Sequence, residues 1–407
     1  MKKSLFAVAA VTAFAGAAQA QSSVTVYGIL DVGYGSSYQR NVTGTSGTIA
    51  NQNTSGISGN GESTSRLGFK GNEDLGGGAS AFFTIESAVN INAGGLFATG
   101  ANGNRQMFVG LGKKGLGNAS IGIQYTPVHE AAAVTDAAGL NNQVGNVIYD
   151  KQGGFGAASG QVVANSGNTA APNSGMSDNT SYTVRASNAL MLKSDKFAGF
   201  SAKAMVVQGG KDSNTNASVT DNSGWGLGAD YTWNKLFVTA AYQSFVNQTL
   251  GGGTFAQGYT GAVITPGTNA RDNQQYYAAT YDFGIVKAFA QYVNRKTTNI
   301  MDANNYISRS AQQIGVRAPI TSAIQVWASG GTGSVNGGGN ALTSSKFNGW
   351  QLGSDYYLSK RTNLYAIYGQ TATGNNKMAT TYGTNAAGST MNSYNASSYA
   401  LGVRHTF

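Results

Sequence analysis

The chain closes on Tyr399-Ala400-Leu401-Gly402-Val403-Arg404-His405-Thr406-Phe407, and the reading of this stretch decides the fold. The larger side chains fall on odd positions, while Ala400, Gly402, Arg404 and Thr406 fall on even ones. Successive side chains of a strand point to opposite faces, so this is a β-strand with one apolar and one polar face. The same alternation runs back through the chain. Leu227, Ala229, Tyr231 and Trp233 oppose Gly228, Asp230 and Thr232. Tyr277, Ala279, Tyr281 and Phe283 oppose Ala278, Thr280 and Asp282. Val286, Ala288, Ala290 and Tyr292 oppose Lys287 and Gln291, and Trp350, Leu352 and Tyr356 oppose Gln351, Gly353 and Asp355.

Connections between these segments alternate in length. Short ones include Asp74-Leu75-Gly76-Gly77, Trp233-Asn234-Lys235 and Asp282-Phe283-Gly284. Long ones, rich in Gly, Asn, Ser and Thr, cover 36–62, 128–178, 209–222, 248–272, 296–308, 333–346 and 371–395. Short turns on one side and long loops on the other describe an up-and-down antiparallel meander. Sixteen strands are predicted, near 23–36, 63–72, 78–90, 104–113, 118–127, 180–195, 198–208, 223–233, 236–247, 273–283, 285–295, 309–318, 322–332, 347–358, 362–372 and 397–407. An even number lets an antiparallel barrel close with both termini on one side.

Which face is outside follows from three features. Aromatic side chains sit mainly at strand ends of the apolar rows, among them Trp233, Tyr281, Phe283, Tyr356 and Phe407, as in the girdles of a membrane barrel. The polar rows carry mid-strand charges, among them Lys70, Glu86, Arg185, Lys203, Asp230, Lys287 and Arg317, which a water-filled lumen tolerates. Frequent Gly and Ala along the strands would starve the core of a soluble sandwich. Composition agrees. Charged residues are 11%, under half the usual share of about 25%. Gly accounts for 58 of 407 residues, and there is no Cys, which removes disulfides and thiolate chemistry. Aromatics at 10% argue against disorder. The expected architecture is therefore all-β, a transmembrane antiparallel barrel.

Residues 1–20, MKKSLFAVAAVTAFAGAAQA, read as a signal peptide: Lys2 and Lys3, an apolar stretch, then Ala18-Gln19-Ala20 as the cleavage pattern. The expected domains are this leader and a barrel over 21–407. Net charge is +9, with two of the positive charges in the leader.

Several stretches together resemble the Gram-negative general porin family. They are the opening Ser23-Val24-Thr25-Val26-Tyr27-Gly28-Ile29-Leu30-Asp31, then Arg66-Leu67-Gly68-Phe69-Lys70-Gly71-Asn72-Glu73-Asp74-Leu75-Gly76, Asn104-Arg105-Gln106-Met107-Phe108-Val109-Gly110-Leu111 and the terminal Gly402–Phe407. The resemblance implies a homotrimer of sixteen-stranded barrels in the outer membrane, among lipids and lipopolysaccharide, passing small hydrophilic solutes and ions. It also implies that Phe407 is read by the barrel assembly machinery. In the family, the loop after strand five folds into the lumen and narrows it. Here that loop follows Gly122-Ile123-Gln124-Tyr125-Thr126-Pro127, and roughly 128–155 is expected to line the pore. The expected constriction sets an acidic loop (Glu130, Asp136, Asp150) against a basic wall (Arg66, Lys70, Arg105, Arg185, Lys203). Such a slot carries a transverse field, and the positive net charge points to anion preference. Arg105 shares parity with Val109 and Leu111, so alternation turns it outward unless the strand start bulges.

Other signals are weaker. Gly110-Leu111-Gly112-Lys113-Lys114-Gly115 fits a dinucleotide fingerprint, but another strand follows instead of the required helix. His129 and His405 are the only imidazoles, with no zinc-ligand spacing, so no metal, cofactor or catalytic site is expected. Lys and Arg are scattered singly, so no nucleic-acid partner is expected. An enzyme would need a nucleophile–base pair, and none is evident. The remaining rival is a barrel acting mainly in adhesion or binding through its long outer loops.

Overall fold

The computed structural model describes residues 23–43, 48–91, 97, 104–150, 176–209, 219–250, 270–300, 303–304, 306–338, 343–373, 376–378 and 390–407. The leader 1–20 and residues 151–155 of the expected pore-lining loop lie outside them. In chain order the strands are β1 (Ser23–Thr43), β2 (Thr48–Gly59), β3 (Arg66–Gly76), β4 (Ala79–Ala88), β5 (Asn104–Lys113) and β6 (Gly117–Tyr125). Helix α1 (Pro127–Thr135) follows, then β7 (Met176–Asp178), β8 (Thr183–Ser194), β9 (Phe200–Gln208), β10 (Val219–Trp233) and β11 (Leu236–Leu250). The rest are β12 (Ala270–Asp282), β13 (Lys287–Asn299), β14 (Tyr306–Pro319), β15 (Ile324–Gly338), β16 (Thr343–Tyr357), β17 (Thr362–Thr373), β18 (Asn376–Met378) and β19 (Thr390–Thr406).

All pairings are antiparallel between neighbours, and β19 returns to β1 with Ile29 opposite Thr406. The seam is tied at the last residue. Gly28 N donates to Phe407 O at 3.1 Å, and Phe407 N donates back to Gly28 O at 3.2 Å. The barrel wall thus closes on itself, pairing the strand backbone that a bilayer would otherwise penalise.

Sixteen positions make up the barrel wall, as expected, but three extra strand segments sit within it. β2 pairs with the far half of β1 (Val32–Thr43), and β3 pairs with its near half (Ser23–Ile29). These two segments share one wall position, broken by the connection 60–65. Most of the expected long loop over 36–62 is thus paired strand, with β1 up to Thr43 laddered against β2 from Thr48. Its Gly-, Asn- and Ser-rich sequence reads as loop because few apolar residues alternate along it. β18 likewise continues the position of β17, and β7 adds a short partner to β8.

The polarity of the wall is inverted relative to a soluble protein. Val109, Ile121, Leu190, Val206 and Trp225 are cross-strand neighbours on β5, β6, β8, β9 and β10, and all point outward with 39–62% exposure. In water such a band would forfeit about 25 cal/mol per Å². Against lipid it forfeits nothing. The conventional packed core lies instead inside the lumen. Val128, Ala131, Ala132, Val147 and Ile148 pack on Tyr182, Val184, Ala241, Tyr276, Val293 and Phe347. The segment after the fifth wall position therefore folds inward and is fastened to the inner wall.

Candidate functional site

The inward segment begins with a capped helix. Thr126 is the N-cap of α1: its Oγ1 accepts from His129 N at 3.3 Å and donates to Thr183 O at 2.6 Å. Pro127 occupies the first turn, where a missing N–H costs nothing. From there 127–150 runs along the inner faces of the later strands, held by a row of inward glutamines. Gln243 accepts from Val128 N at 3.3 Å. Gln313 accepts from Val147 N at 3.1 Å and donates to Asp136 at 3.0 Å. Gln351 donates to the carbonyls of Gln143 and Val144, both at 2.8 Å. Gln243 stands directly opposite Gln274, and Gln291 opposite Gln313. Sequence reasoning misses this row, although paired amides at matching parity on neighbouring strands are its visible signal.

Two buried arginines complete the fastening, and sequence reasoning misses these too. Arg309 donates to Ser181 Oγ (2.6 Å), Val147 O (2.9 Å) and Asp150 Oδ2 (3.3 Å), with its guanidinium 4.4 Å from the Phe347 ring centre. Arg295 clamps Asp272 through two nitrogens and donates to Asn179 O at 2.8 Å. Charge-assisted bonds of this kind are roughly twice as strong as neutral ones.

Across the lumen three predicted arginines come together. Arg105 Nε donates to Glu86 Oε1 at 2.5 Å and its Nη2 donates to Tyr125 Oη at 2.7 Å. Arg66 Nη1 lies 3.8 Å from the same carboxylate oxygen. Arg185 is buried, its guanidinium 5.9 Å from the Tyr125 ring centre. The parity difficulty at Arg105 resolves locally. Glu86 pairs with Gln106 but Ser87 pairs with Asn104, so Arg105 is the extra residue of a bulge and its side chain turns inward. One carboxylate against three guanidiniums leaves this wall positive.

The other expected site residues lie elsewhere. Lys70 sits four residues further along β3, nearer the short-turn end, with its ammonium 5.4 Å from the Tyr27 ring centre. Lys203 lies 3.2 Å from Asp230 and 3.7 Å from Glu130, in a separate cluster beneath α1. The expected acidic face of the loop is not arranged as such. Glu130 is held by Lys193 and Lys203. Asp136 is buried, accepting from Leu140 N (2.7 Å), Asn146 Nδ2 (3.1 Å) and Gln313. Burial pushes the Asp136 carboxyl above its usual range despite these donors. Asp150 is taken up by Arg309. The acids are spent on attaching the loop, because a carboxylate is the acceptor best able to hold buried amides and guanidiniums.

What the loop presents instead is amide and phenol. A cavity of about 770 Å³ has Arg105 and Arg185 on one side and Asn142, Gln143 and Tyr149 of the loop on another. Burial raises the Tyr149 hydroxyl above the ordinary tyrosine range, so it stays uncharged. The connection 60–65 forms a further edge, stitched to the loop. Asn60 O accepts from Asn142 Nδ2 at 2.7 Å, and Gly61 O accepts from Gln143 Nε2 at 3.2 Å.

That connection carries Glu62, which accepts from Asn363 at 2.9 Å. Burial, aided by the nearby Asp355 and Asp31 charges, pushes its carboxyl up to about 7, against the opposing effects of Asn363 and Arg404. A carboxyl raised on folding stabilises the fold fully at acid pH, below its unfolded value. The contribution is lost as pH climbs through about 7. Ionisation also adds a negative charge beside the slot. Any anion preference should therefore weaken between about pH 6 and 8, as read from the ratio of anion to cation permeability. The Glu62→Gln variant should show no such step, and a step of the same size in that variant would show that Glu62 is not its source.

Residues 7–377 match the Gram-negative porin family. An outer membrane porin protein of Bordetella pertussis is 28% identical over 409 residues, covering 91% of this chain and 94% of that one. Outer membrane porin protein 32 of Delftia acidovorans is 28% identical over 419 residues, covering 100% of both. Among solved structures, the anion-selective porin from Comamonas acidovorans superposes with a TM-score of 0.64 at 23% identity, covering 95% of this chain and 100% of that one. The last likeness is one of fold.

Proposed function

The chain belongs to the Gram-negative porin family and is an outer-membrane channel, and from that premise we propose that it carries small anions in preference to cations, passively and without chemistry on the solute. The observation that carries this reading is the convergence of Arg66, Arg105 and Arg185 around a single carboxylate, Glu86, opposite a loop edge of amides and a neutral phenol. Guanidiniums cannot discharge at any physiological pH, so the field of this wall is permanent. A narrow aqueous slot between low-dielectric walls focuses that field on passing ions. The Comamonas acidovorans protein, whose fold this chain shares, is an anion-selective porin, which agrees with this direction.

The leader is read from residues 1–20 themselves, and the other parts of the reading follow from the family. The leader 1–20 is removed after Ala20, three copies assemble in the outer membrane among lipopolysaccharide and lipid, and Phe407 is presented to the assembly machinery. The selectivity is tested by exchanging the ions of the bathing salt. Replacing chloride with a bulky anion should lower single-channel conductance much more than replacing potassium with a bulky cation. The reverse ranking would refute the proposal.

A further inference from the structure

Beneath α1, toward the short-turn end of the barrel, lies a second cavity of about 660 Å³. Lys193, Lys196, Lys203 and Lys287 line it, with Glu130 and Asp230 as the carboxylates. Lys193 and Lys203 stand directly opposite each other on β8 and β9. Like charges in that arrangement destabilise a sheet unless an anion lies between them. Glu130 supplies that anion, reaching both ammonium groups from the first turn of α1, while Asp230 holds Lys203 from its other side at 3.2 Å. The bond is accessible: the side chains of Lys193 and Glu130 keep 37% and 23% of their surface open. Lys196 donates to Thr232 Oγ1 at 3.0 Å, and Lys287 lies 5.2 Å from the Phe289 ring centre, so these two ammonium groups add charge that no carboxylate of the cavity balances through a direct ion pair among the described residues.

The same cavity has an apolar side. Phe237 lines it, sharing the inward face of β11 with Thr239, and Ala133 and Val134 of α1 line it too. An inward phenylalanine and valine on the water-filled side of a barrel wall offer hydrocarbon contact a few residues from a pair of ammonium groups.

We propose that this cavity is a binding site for organic carboxylates with an apolar body. The solute carboxylate replaces Glu130 between Lys193 and Lys203, and its hydrocarbon part rests on Phe237 and Val134. The site lies on the solute path only if the channel reading holds. Chloride current in the absence of solute tests that reading separately.

The experiment uses the full-length protein in planar bilayers of fixed potassium chloride, with benzoate as the probe. Benzoate should reduce the current in a saturable way. Inorganic phosphate, which has charge without an apolar body, should need a higher concentration for half-block, and benzylammonium should not block. The Lys193→Gln/Lys203→Gln variant should need about tenfold more benzoate, the loss expected for a charge-assisted bond. Glu130→Gln should need less, because the resident competitor is gone. These opposite signs separate a site from general distortion of the wall. A non-saturable response, equal block by phosphate, an unshifted half-block in the lysine variant, or a shift of the same sign in both variants would each overturn the proposal.

Discussion

Glutamine at both Arg66 and Arg185 should cut the chloride-to-potassium permeability ratio by about tenfold at low salt. A unit charge about 5 Å from an ion in a water-filled slot, at a dielectric near 80, is worth about 0.8 kcal/mol, so two together are worth a little over tenfold. Screening shortens its reach to about 10 Å at 0.1 M salt, so the effect should shrink at about 1 M. Arg105 is left in place for a physical reason. It is the close partner of buried Glu86 at 2.5 Å, and removing it would strand that carboxylate. Arg66 reaches Glu86 only at 3.8 Å, so its loss leaves the main pair intact. The measurement is the zero-current potential of the double variant in a potassium chloride gradient. A ratio equal to that of the unaltered protein would dismiss these arginines as the selectivity wall.

The second large effect concerns the wall behind the loop. A methyl group at Gly369 would lie 1.8 Å from the carbonyl oxygen of Val144, and one at Gly349 would lie 2.6 Å from that of Gly145. Both obstacles are backbone, so neither can rotate away. Gly369→Ala should therefore push the loop off β17 toward the arginine side. Because Gln313 and Arg309 hold it at Val147, the loop shifts without leaving the lumen. Overpacking of this kind costs about 1–3 kcal/mol. Single-channel conductance should fall, because close-packed elements transmit the displacement into the slot. Unchanged or increased conductance would show that the loop does not bound the slot.

The barrel was legible because its outward row obeys one rule. Val109, Ile121, Leu190, Val206 and Trp225 are apolar at matching parity, and lipid accepts no exception at mid-depth. The resemblance, not alternation, points to Arg66, Arg105 and Arg185, and a bulge turns Arg105 inward. The loop's attachment was not legible, because 127–150 has no period, and Glu130, Asp136 and Asp150 look alike in sequence whether they face the pore or the wall. Their partners on the barrel wall decide, and those lie 63 to 177 residues away in the chain. Lys203 was misplaced for a related reason: parity assigns it to the lumen but gives no azimuth around the barrel. The pairing of β1 with β2 beyond Asp31 was hidden because its Ser-, Asn- and Gly-rich sequence carries few alternating apolar residues.

The most direct test of anion preference is the zero-current potential of the unaltered protein across a potassium chloride gradient of about tenfold, at a pH of about 6, where Glu62 is mostly protonated. The dilute side should become negative, as chloride crosses ahead of potassium. A positive dilute side, or no potential, would contradict the arginine wall as the source of selectivity.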